Sequence, residues 1–241
     1  MPASRRTAGT RAALGTLAAV GALWWPATAS ATTQNLGTAA APSSTRPSCP
    51  GLPCQALTRT TGFQAAVAGA HNAMVVHLAG WVVSWTITLA KPTAEEVSFF
   101  DQLTGGPPQA ALVTLRQGSN YRFRVVGVTP TIALTPLLGQ TKVMTLAEPL
   151  AVLPGEVLGL SVPTWAPALA LGLSGATAWR ASRAHGNCGD VTTPTYEIHT
   201  GGLGRFQCVY RSGRLTYGAT ITSTPPRPTA PTPKAGTPRP T

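Results

Sequence analysis

The side chains that could do chemistry are concentrated between Trp179 and Cys208. This stretch reads WRASRAHGNCGDVTTPTYEIHTGGLGRFQC and contains several glycines. Ligand-binding residues tend to collect on long ordered loops that a rigid scaffold carries. We take the following residues as candidate binding residues: Trp179, Arg180, Arg183, Asp190, Tyr196, Glu197 and His199. A surface loop without any ligand is the alternative interpretation of the same stretch.

The sequence contains none of the common catalytic motifs that we considered. The sequence contains no G-x-S-x-G elbow, no H-E-x-x-H motif and no phosphate-binding glycine loop. Of the seven acidic residues, only Asp190 and Glu197 share a loop rich in other polar groups. A glycosidase would need such a pair to face one cleft. We therefore expect no catalytic site and no cofactor, and we keep a secreted glycoside hydrolase as an alternative.

The amino-terminal end indicates export. Arg5, Arg6 and Arg11 precede the apolar run AALGTLAAVGALWW, and PATASA then supplies the small residues that signal peptidase requires. The run is shorter than the roughly 20 apolar residues of a transmembrane helix. Residues 1–31 are therefore predicted to be a signal peptide, which leaves no transmembrane span after cleavage. The general secretory and twin-arginine routes both stay open, as does an uncleaved membrane anchor. We expect the mature chain outside the cell or associated with the cell wall.

The four cysteines are interpreted in the light of export. An even number of cysteines in an oxidising compartment predicts disulfides. Four cysteines allow three pairings, which the sequence alone leaves open. We expect the local one, with one bond between Cys49 and Cys54 in CPGLPC and a second between Cys188 and Cys208. A zinc site that adds His185 to Cys188 is the alternative, but an oxidising compartment leaves few free thiolates. We therefore expect no metal.

Composition divides the chain after the signal peptide into three parts. Residues 32–48 are small and polar without periodicity, which predicts a flexible leader. Residues 224–241 are rich in proline and threonine and contain no large apolar side chain, which predicts a disordered tail that acts as a semi-rigid spacer. Residues 49–223 are long enough to form one domain with its own core.

Strand signals fill that domain. In HLAGWVVSWTITLA, apolar side chains alternate with polar ones, which predicts a strand with Trp81 and Trp85 in the core. AALVTLR and YRFRVVGV flank a turn and predict a hairpin. TAEEVSFFDQL is the helix candidate, with Thr93 as its cap and Glu95 and Glu96 in its first turn. Short strands and frequent turns favour an all-β fold, a single antiparallel β-sandwich or jelly roll.

Five segments of the domain carry a resemblance: LPCQALTRTTGFQ, GWVVSWTITLAKPT, LPGEVLGLSVPTWAPALALGL, WRASR and RLTYGATI. In these segments the domain resembles a group of secreted actinobacterial proteins to which no activity is assigned. The resemblance covers most of residues 49–223. It implies export and a β-rich, jelly-roll-like domain, and it implies no functional residue.

Charge argues against a nucleic-acid partner. The full chain has a formal net charge of +11. Seven of its 18 basic residues lie outside residues 49–223, which leaves 11 basic against seven acidic residues there, a net charge of +4. Nucleic-acid binding would require a dense basic stripe with interleaved aromatic residues. We therefore expect no nucleic-acid partner.

The export signal and the lack of catalytic motifs together indicate a non-catalytic envelope or extracellular module, of unspecified oligomeric state. We expect this module to bind a cell-envelope polysaccharide or an anionic polymer. A structural domain without a ligand is the alternative.

Overall fold

The all-β fold that the strand signals predict is confirmed. The computed structural model describes residues 31–38 and 45–224. The predicted signal peptide and the predicted tail therefore lie outside the described residues, except for Ala31 and Thr224. The strands are β1 Thr33–Gly37, β2 Leu57–Val67, β3 Ala70–His71, β4 Gly80–Thr88, β5 Gln109–Gln117, β6 Arg122–Val128, β7 Ile132–Ala133, β8 Thr141–Val152, β9 Val157–Ala166, β10 Leu169–Ala170, β11 Ala178–Ala181, β12 Leu203–Arg205, β13 Cys208–Arg211, β14 Arg214–Leu215 and β15 Tyr217–Thr222.

Two antiparallel sheets contain most of these strands. The smaller sheet has the order β1-β15-β4-β8. The larger sheet has the order β12-β6-β5-β9-β2-β11-β13, with β3 paired to β2 and β7 paired to β5, while β10 and β14 form a separate two-stranded ribbon. The predicted hairpin is present, because β5 and β6 pair around a tight turn at Ser119–Tyr121, in which Asn120 and Tyr121 both have φ angles of 53°. A 3-10 turn spans Thr135–Leu137. Side chains from both sheets contribute to one hydrophobic core.

The larger sheet curls until its two edge strands approach each other. Only Phe206 and Gln207 separate β12 from β13, although these strands lie at opposite edges of the sheet. The side chains of Phe63 on β2 and Phe123 on β6 meet across the concave face, with ring centroids 5.2 Å apart. Phe206 packs against both rings, at centroid distances of 5.5 and 5.0 Å. The curl therefore encloses an aromatic interior that is open toward the ends of the strands.

The leader predicted for residues 32–48 is a strand in part. Thr33–Gly37 form β1 and pair antiparallel with β15, from Thr33 opposite Thr222 to Gly37 opposite Gly218. Leu36 is buried in the core. The expectation of a flexible leader is therefore corrected for this segment. One buried leucine and main-chain pairing anchor a stretch whose composition gave no strand signal.

The tryptophan pair of β4 does not share one environment. Trp85 is buried, as predicted, together with Ile87. Trp81 is only half-buried, and Val82 takes the core position instead. The register with both neighbouring strands shifts between Val82 and Ser84. A bulge at this point changes which parity of the strand faces inward, and this corrects the prediction that both indoles lie in the core.

The predicted helix is present as α1, Ala94–Thr104, and its start is confirmed. The side-chain oxygen of Thr93 accepts a hydrogen bond from the Glu96 N–H at 3.2 Å. In return, the Glu96 carboxylate accepts one from the Thr93 N–H at 2.7 Å. This reciprocal pair is a capping box. Within the described ranges, no helix has the length and apolar character to cross a membrane.

Helix α1 is anchored on β9 through Trp165. The buried ring of Phe100 stacks on the Trp165 indole with centroids 4.9 Å apart. The indole N–H of Trp165 donates to Oδ1 of Asp101 at 2.7 Å. A fully buried indole therefore finds its hydrogen-bond partner on the helix.

Candidate functional site

A cavity of about 560 Å³ lies at one open end of the curled sheet. Its wall is formed by the amino ends of β6, β9 and β11, the carboxyl ends of β2, β5 and β13, and the β2–β3 hairpin. These ends lie together because neighbouring antiparallel strands run in opposite directions. Small-molecule sites commonly have volumes of roughly 300–1,000 Å³. We call this space the open-end cavity.

The floor and part of the wall of the open-end cavity are apolar. Phe63 and Phe123 contribute the edge of the aromatic interior, and Ala65 and Val157 add aliphatic surface. Val209 on β13 also lines the cavity and is 41% exposed. A partly exposed apolar surface inside a concave space is typical of a ligand site.

Two arginines stand on one side of the open-end cavity. Arg180 lies opposite Val209, and Ala178 lies opposite Arg211, in the antiparallel pairing of β11 with β13. Side chains at directly opposed positions share a face of the sheet, as do side chains two residues apart along a strand. Arg180 and Arg211 are therefore diagonal neighbours on the face that lines the cavity.

Protein groups use only part of the hydrogen-bonding capacity of these arginines. Arg180 donates from Nη1 to the Phe206 carbonyl at 3.1 Å, and its guanidinium lies 3.8 Å from the centroid of the Tyr121 ring. Arg211 donates from Nη1 to the Gly175 carbonyl at 3.3 Å. In the part of the chain that the structure describes, neither arginine forms an ion pair. Further N–H donors are therefore available to a bound group.

No carboxylate neutralises this side of the cavity. The described residues that line it include no Asp or Glu. Glu156, which directly precedes the lining residue Val157, accepts a 2.7 Å hydrogen bond from Arg116 and a further one from the Leu153 N–H. Because Glu156 is engaged in this way, the open-end cavity keeps an uncompensated positive charge.

A tight turn forms a further part of the rim, beside the segment that precedes β11, where the Gly69 N–H donates to the Ala176 carbonyl at 3.0 Å. Val67 pairs with Ala70 in the β2–β3 hairpin, so Ala68 and Gly69 form a two-residue loop. Both have positive φ angles, 48° and 86°, as a type I′ turn requires. The hairpin carries His71 to the cavity. The rim therefore combines an imidazole with the two guanidinium groups.

The long β11–β12 loop, residues 182–202, covers the opposite end of the curled sheet. The Glu197 N–H donates to the side-chain oxygen of Thr61 on β2 at 2.7 Å. The Thr195 N–H donates to the Arg59 carbonyl at 2.8 Å. A second cavity of about 340 Å³ lies here and is lined by Arg183, Asp190 and Glu197, among others. This loop contains five of the predicted site residues, and it lies away from the open-end cavity.

The two predicted carboxylates lie in contrasting environments. Hydrogen bonds from the Thr193 side chain, together with those from the N–H groups of Thr193 and Thr192, hold the pKa of Asp190 well below its usual range. Burial raises the pKa of Glu197, against a smaller opposing effect of His199. Asp190 thus stabilises its own turn. Its Oδ1 already accepts three hydrogen bonds from the two threonines, which weakens the case for a glycosidase pair.

Trp179 and Arg183 are buried rather than presented to a ligand. The Trp179 indole stacks on the Tyr210 ring with centroids 4.4 Å apart. Arg183 is 4% exposed and donates to the Thr58 carbonyl at 2.9 Å and to the Tyr210 hydroxyl at 3.1 Å. Packing between strands covers the Trp179 ring, and Trp179 lines neither cavity. Arg183 mainly ties β2 to β13.

The remaining predicted residues do not converge on one site. Tyr196 is half-buried and lines neither cavity. His199 is exposed, and its carbonyl accepts a hydrogen bond from the Gly202 N–H at 3.0 Å. Of the seven predicted binding residues, only Arg180 lines the open-end cavity.

The structure joins the cysteines in the predicted pairs, Cys49 with Cys54 and Cys188 with Cys208. Cys188 therefore has no free thiolate for a zinc ion, and the alternative that combined it with His185 is corrected. The second disulfide ties the β11–β12 loop to β13.

Sequence reasoning missed Arg211, His71 and Tyr121 at the open-end cavity. Arg211 directly precedes Ser212 and Gly213, and the composition of this short segment predicts only a turn. A weak signal exists, because Arg211 is two residues from Val209 on the same strand and so shares its face. The chain matches no protein-family model, no curated protein and no solved structure, so no relative assigns a role to either cavity.

Proposed function

We propose that this chain is a non-catalytic extracellular or cell-envelope module that binds an envelope component in its open-end cavity. The observation that carries the proposal is the side-by-side placement of Arg180 and Arg211, without ion-pair partners among the described residues, above an apolar floor. A polysaccharide or an anionic polymer of the envelope is the partner class that the sequence favours. Export rests on the amino-terminal signal, and two disulfides fit an oxidising compartment.

A purely structural role leaves this cavity unexplained. Tyr121 is 47% exposed and Val209 is 41% exposed at its mouth. Each Å² of apolar surface that is buried stabilises a fold by roughly 25 cal/mol, and the fold forgoes this stabilisation wherever such surface stays in water. A surface that a ligand covers accounts for this exposure.

The open-end cavity offers little for catalysis. Its described lining contains no Ser, Thr, Cys, Lys, Asp or Glu, and its one phenol, Tyr121, is packed under the Arg180 guanidinium. Nucleophilic and general acid–base catalysis both need such side chains within hydrogen-bond reach. This supports a binding role for the cavity.

A pull-down with purified cell-wall polysaccharide, anionic wall polymer and a lipid-containing envelope fraction tests the proposal. We expect at least one fraction to retain the wild type and to release Arg211→Gln. Arg205→Gln is the matched control, because Arg205 is exposed at the second cavity. Tyr196→Ala tests the β11–β12 loop. Binding that survives Arg211→Gln but is lost with Tyr196→Ala would move the site to that loop, and retention by no fraction would favour a structural domain.

A further inference from the structure

Resting on the proposed function, we infer that the open-end cavity binds an anionic amphiphile. An apolar acyl or aryl group enters the cavity, and a carboxylate or phosphate group stays at the mouth between Arg180 and Arg211. Two features of the cavity support this ligand class: the positive charge at its mouth and the apolar side chains of its floor.

The charge at the mouth selects an anion. Arg180 and Arg211 are diagonal neighbours on β11 and β13, and diagonal positions lie roughly 7–8 Å apart, within reach of long side chains. Each guanidinium has five N–H donors, and one hydrogen bond from each goes to a main-chain carbonyl. Planar guanidinium groups bind carboxylate and phosphate oxygens in pairs. Two such groups can therefore hold one acidic group from adjacent sides.

Tyr121 fixes one of the two arginines before a ligand arrives. The Arg180 guanidinium lies over the Tyr121 ring at 3.8 Å, and the same guanidinium donates to the Phe206 carbonyl at 3.1 Å. A guanidinium already held in place loses less rotamer entropy when it binds an anion. Arg211 is exposed and adjustable, so it can close on acidic groups of different size.

The floor selects an apolar group rather than a sugar ring. Phe63, Phe123, Val157 and Ala65 offer no hydrogen-bond donor or acceptor from their side chains. Hydroxyl groups of a saccharide would lose their water there without replacement, and burial of an unpaired polar group is unfavourable. Among the polar lining residues, Gln117 and Asn72 are exposed to water, and the amide of buried Gln64 is already bonded to main-chain groups of Ala66, Ala178 and Leu215.

Calorimetric titration with a series of eight-carbon probes tests the inference on the disulfide-intact protein. The probes are octanoate, octyl phosphate, 1-octanol and octyltrimethylammonium, with butanoate as the short acid. We expect both anions to bind at least ~10-fold more tightly than octanol, since hydrogen bonds to charged groups are the strong class. Octyltrimethylammonium should bind more weakly than octanol. Affinity should rise about fourfold for each methylene that enters the cavity, so butanoate should bind far more weakly than octanoate.

Variants separate the two parts of the site. Arg211→Gln should weaken octanoate binding ~10-fold and leave octanol binding unchanged, whereas Arg205→Gln should change neither. Arg180→Gln should act like Arg211→Gln, but Arg180 also contacts Tyr121 and Phe206, so its melting transition must first match that of wild type. Ala65→Phe should reduce the affinity for octanoate and octanol together, because it fills the cavity without changing charge.

Each unfavourable outcome overturns the inference in a recognisable way. Equal affinity for octanol and octanoate, or preference for the cationic probe, refutes the role of the arginines. If no probe binds while an envelope polysaccharide is retained and Arg211→Gln releases it, the proposed function stands and the ligand is a glycan. If neither a probe nor an envelope fraction binds, the inference and the proposed function both fail.

Discussion

Removal of the Cys188–Cys208 disulfide tests whether the β11–β12 loop stabilises the fold without forming the ligand site. The two cysteines are 20 residues apart in sequence, and loop-closure entropy for such a cross-link stabilises the folded state by about 3 kcal/mol. The Cys49–Cys54 bond closes only five residues, for which the same relation gives about 2 kcal/mol. Cys208 is fully buried, so its replacement by alanine also leaves a small void. The Cys188→Ala, Cys208→Ala protein should therefore be the less stable of the two disulfide variants.

The assay is urea unfolding followed by tryptophan fluorescence, with a thermal scan beside it. For a domain of this size, a loss of 3 kcal/mol lowers Tm by about 6–12 °C. Calorimetry with octanoate well below that transition should give an affinity within about twofold of wild type, because the loop covers the end of the curled sheet that lies opposite the open-end cavity.

Two results would refute this reasoning. If the Cys49→Ala, Cys54→Ala protein loses as much stability as the other variant, loop length does not govern the difference. If the folded Cys188→Ala, Cys208→Ala protein no longer binds octanoate, the β11–β12 loop belongs to the ligand site after all.

The remaining predictions concern the helix anchor, the rim turn and the two loop carboxylates. Asp101→Ala leaves the buried Trp165 N–H without a partner and should lower the free energy of unfolding by about 2 kcal/mol, whereas Asp101→Asn keeps an acceptor and should lower it by less than half as much, measured by urea unfolding. Ala68→Asn should raise stability by roughly 0.5–1 kcal/mol in the same assay, because the left-handed φ of this exposed position suits asparagine. Glu197→Gln should be more stable than wild type at neutral pH, since the raised pKa of Glu197 means that its ionisation disfavours the folded state, and the difference should vanish as the pH falls below the ordinary glutamate range. Asp190→Asn should be less stable at neutral pH, and that difference should close as the pH falls from the ordinary aspartate range toward the lowered pKa of Asp190 in the folded state.

Contradicting outcomes for these variants are equally direct. Equal losses for the alanine and asparagine variants of Asp101 would show that the indole hydrogen bond contributes little. An unchanged or lowered stability of Ala68→Asn would show that the turn is unstrained. If Glu197→Gln and Asp190→Asn change the free energy of unfolding at neutral pH in the same direction, the opposite pKa shifts of these two carboxylates are contradicted.

Local patterns predict the elements of this fold better than they predict how those elements meet. The capping box at Thr93 and Glu96 is encoded in four consecutive residues, so the start of α1 follows from the sequence. The alternation in β4 predicts a strand, but the bulge beside Val82 depends on pairing with β8 and β15, which the strand's own residues do not encode. For the same reason, β1 exists only because β15 offers it an edge.

The candidate site depends even more on long-range structure. Arg180 and Arg211 lie 31 positions apart in the chain, and only the β11–β13 register places them side by side. His71 reaches the same cavity through a hairpin at a distant point of the sequence. The predicted cluster gathered residues that are neighbours in sequence, and the fold instead uses most of them to close the opposite end of the sheet.

The pairing of β1 with β15 determines how this protein responds to mechanical force. Thr32 and Ser223 exchange hydrogen bonds at 2.9 Å, so the two ends of the described chain leave the smaller sheet at the same corner. Tension applied between those ends opens the β1–β15 ladder from Thr33 and Thr222 onward, one pair at a time, instead of shearing all five pairs together. An anchor at one end of the chain leaves that ladder unloaded. Attachment at both ends would load that ladder at its first pair, Thr33 with Thr222.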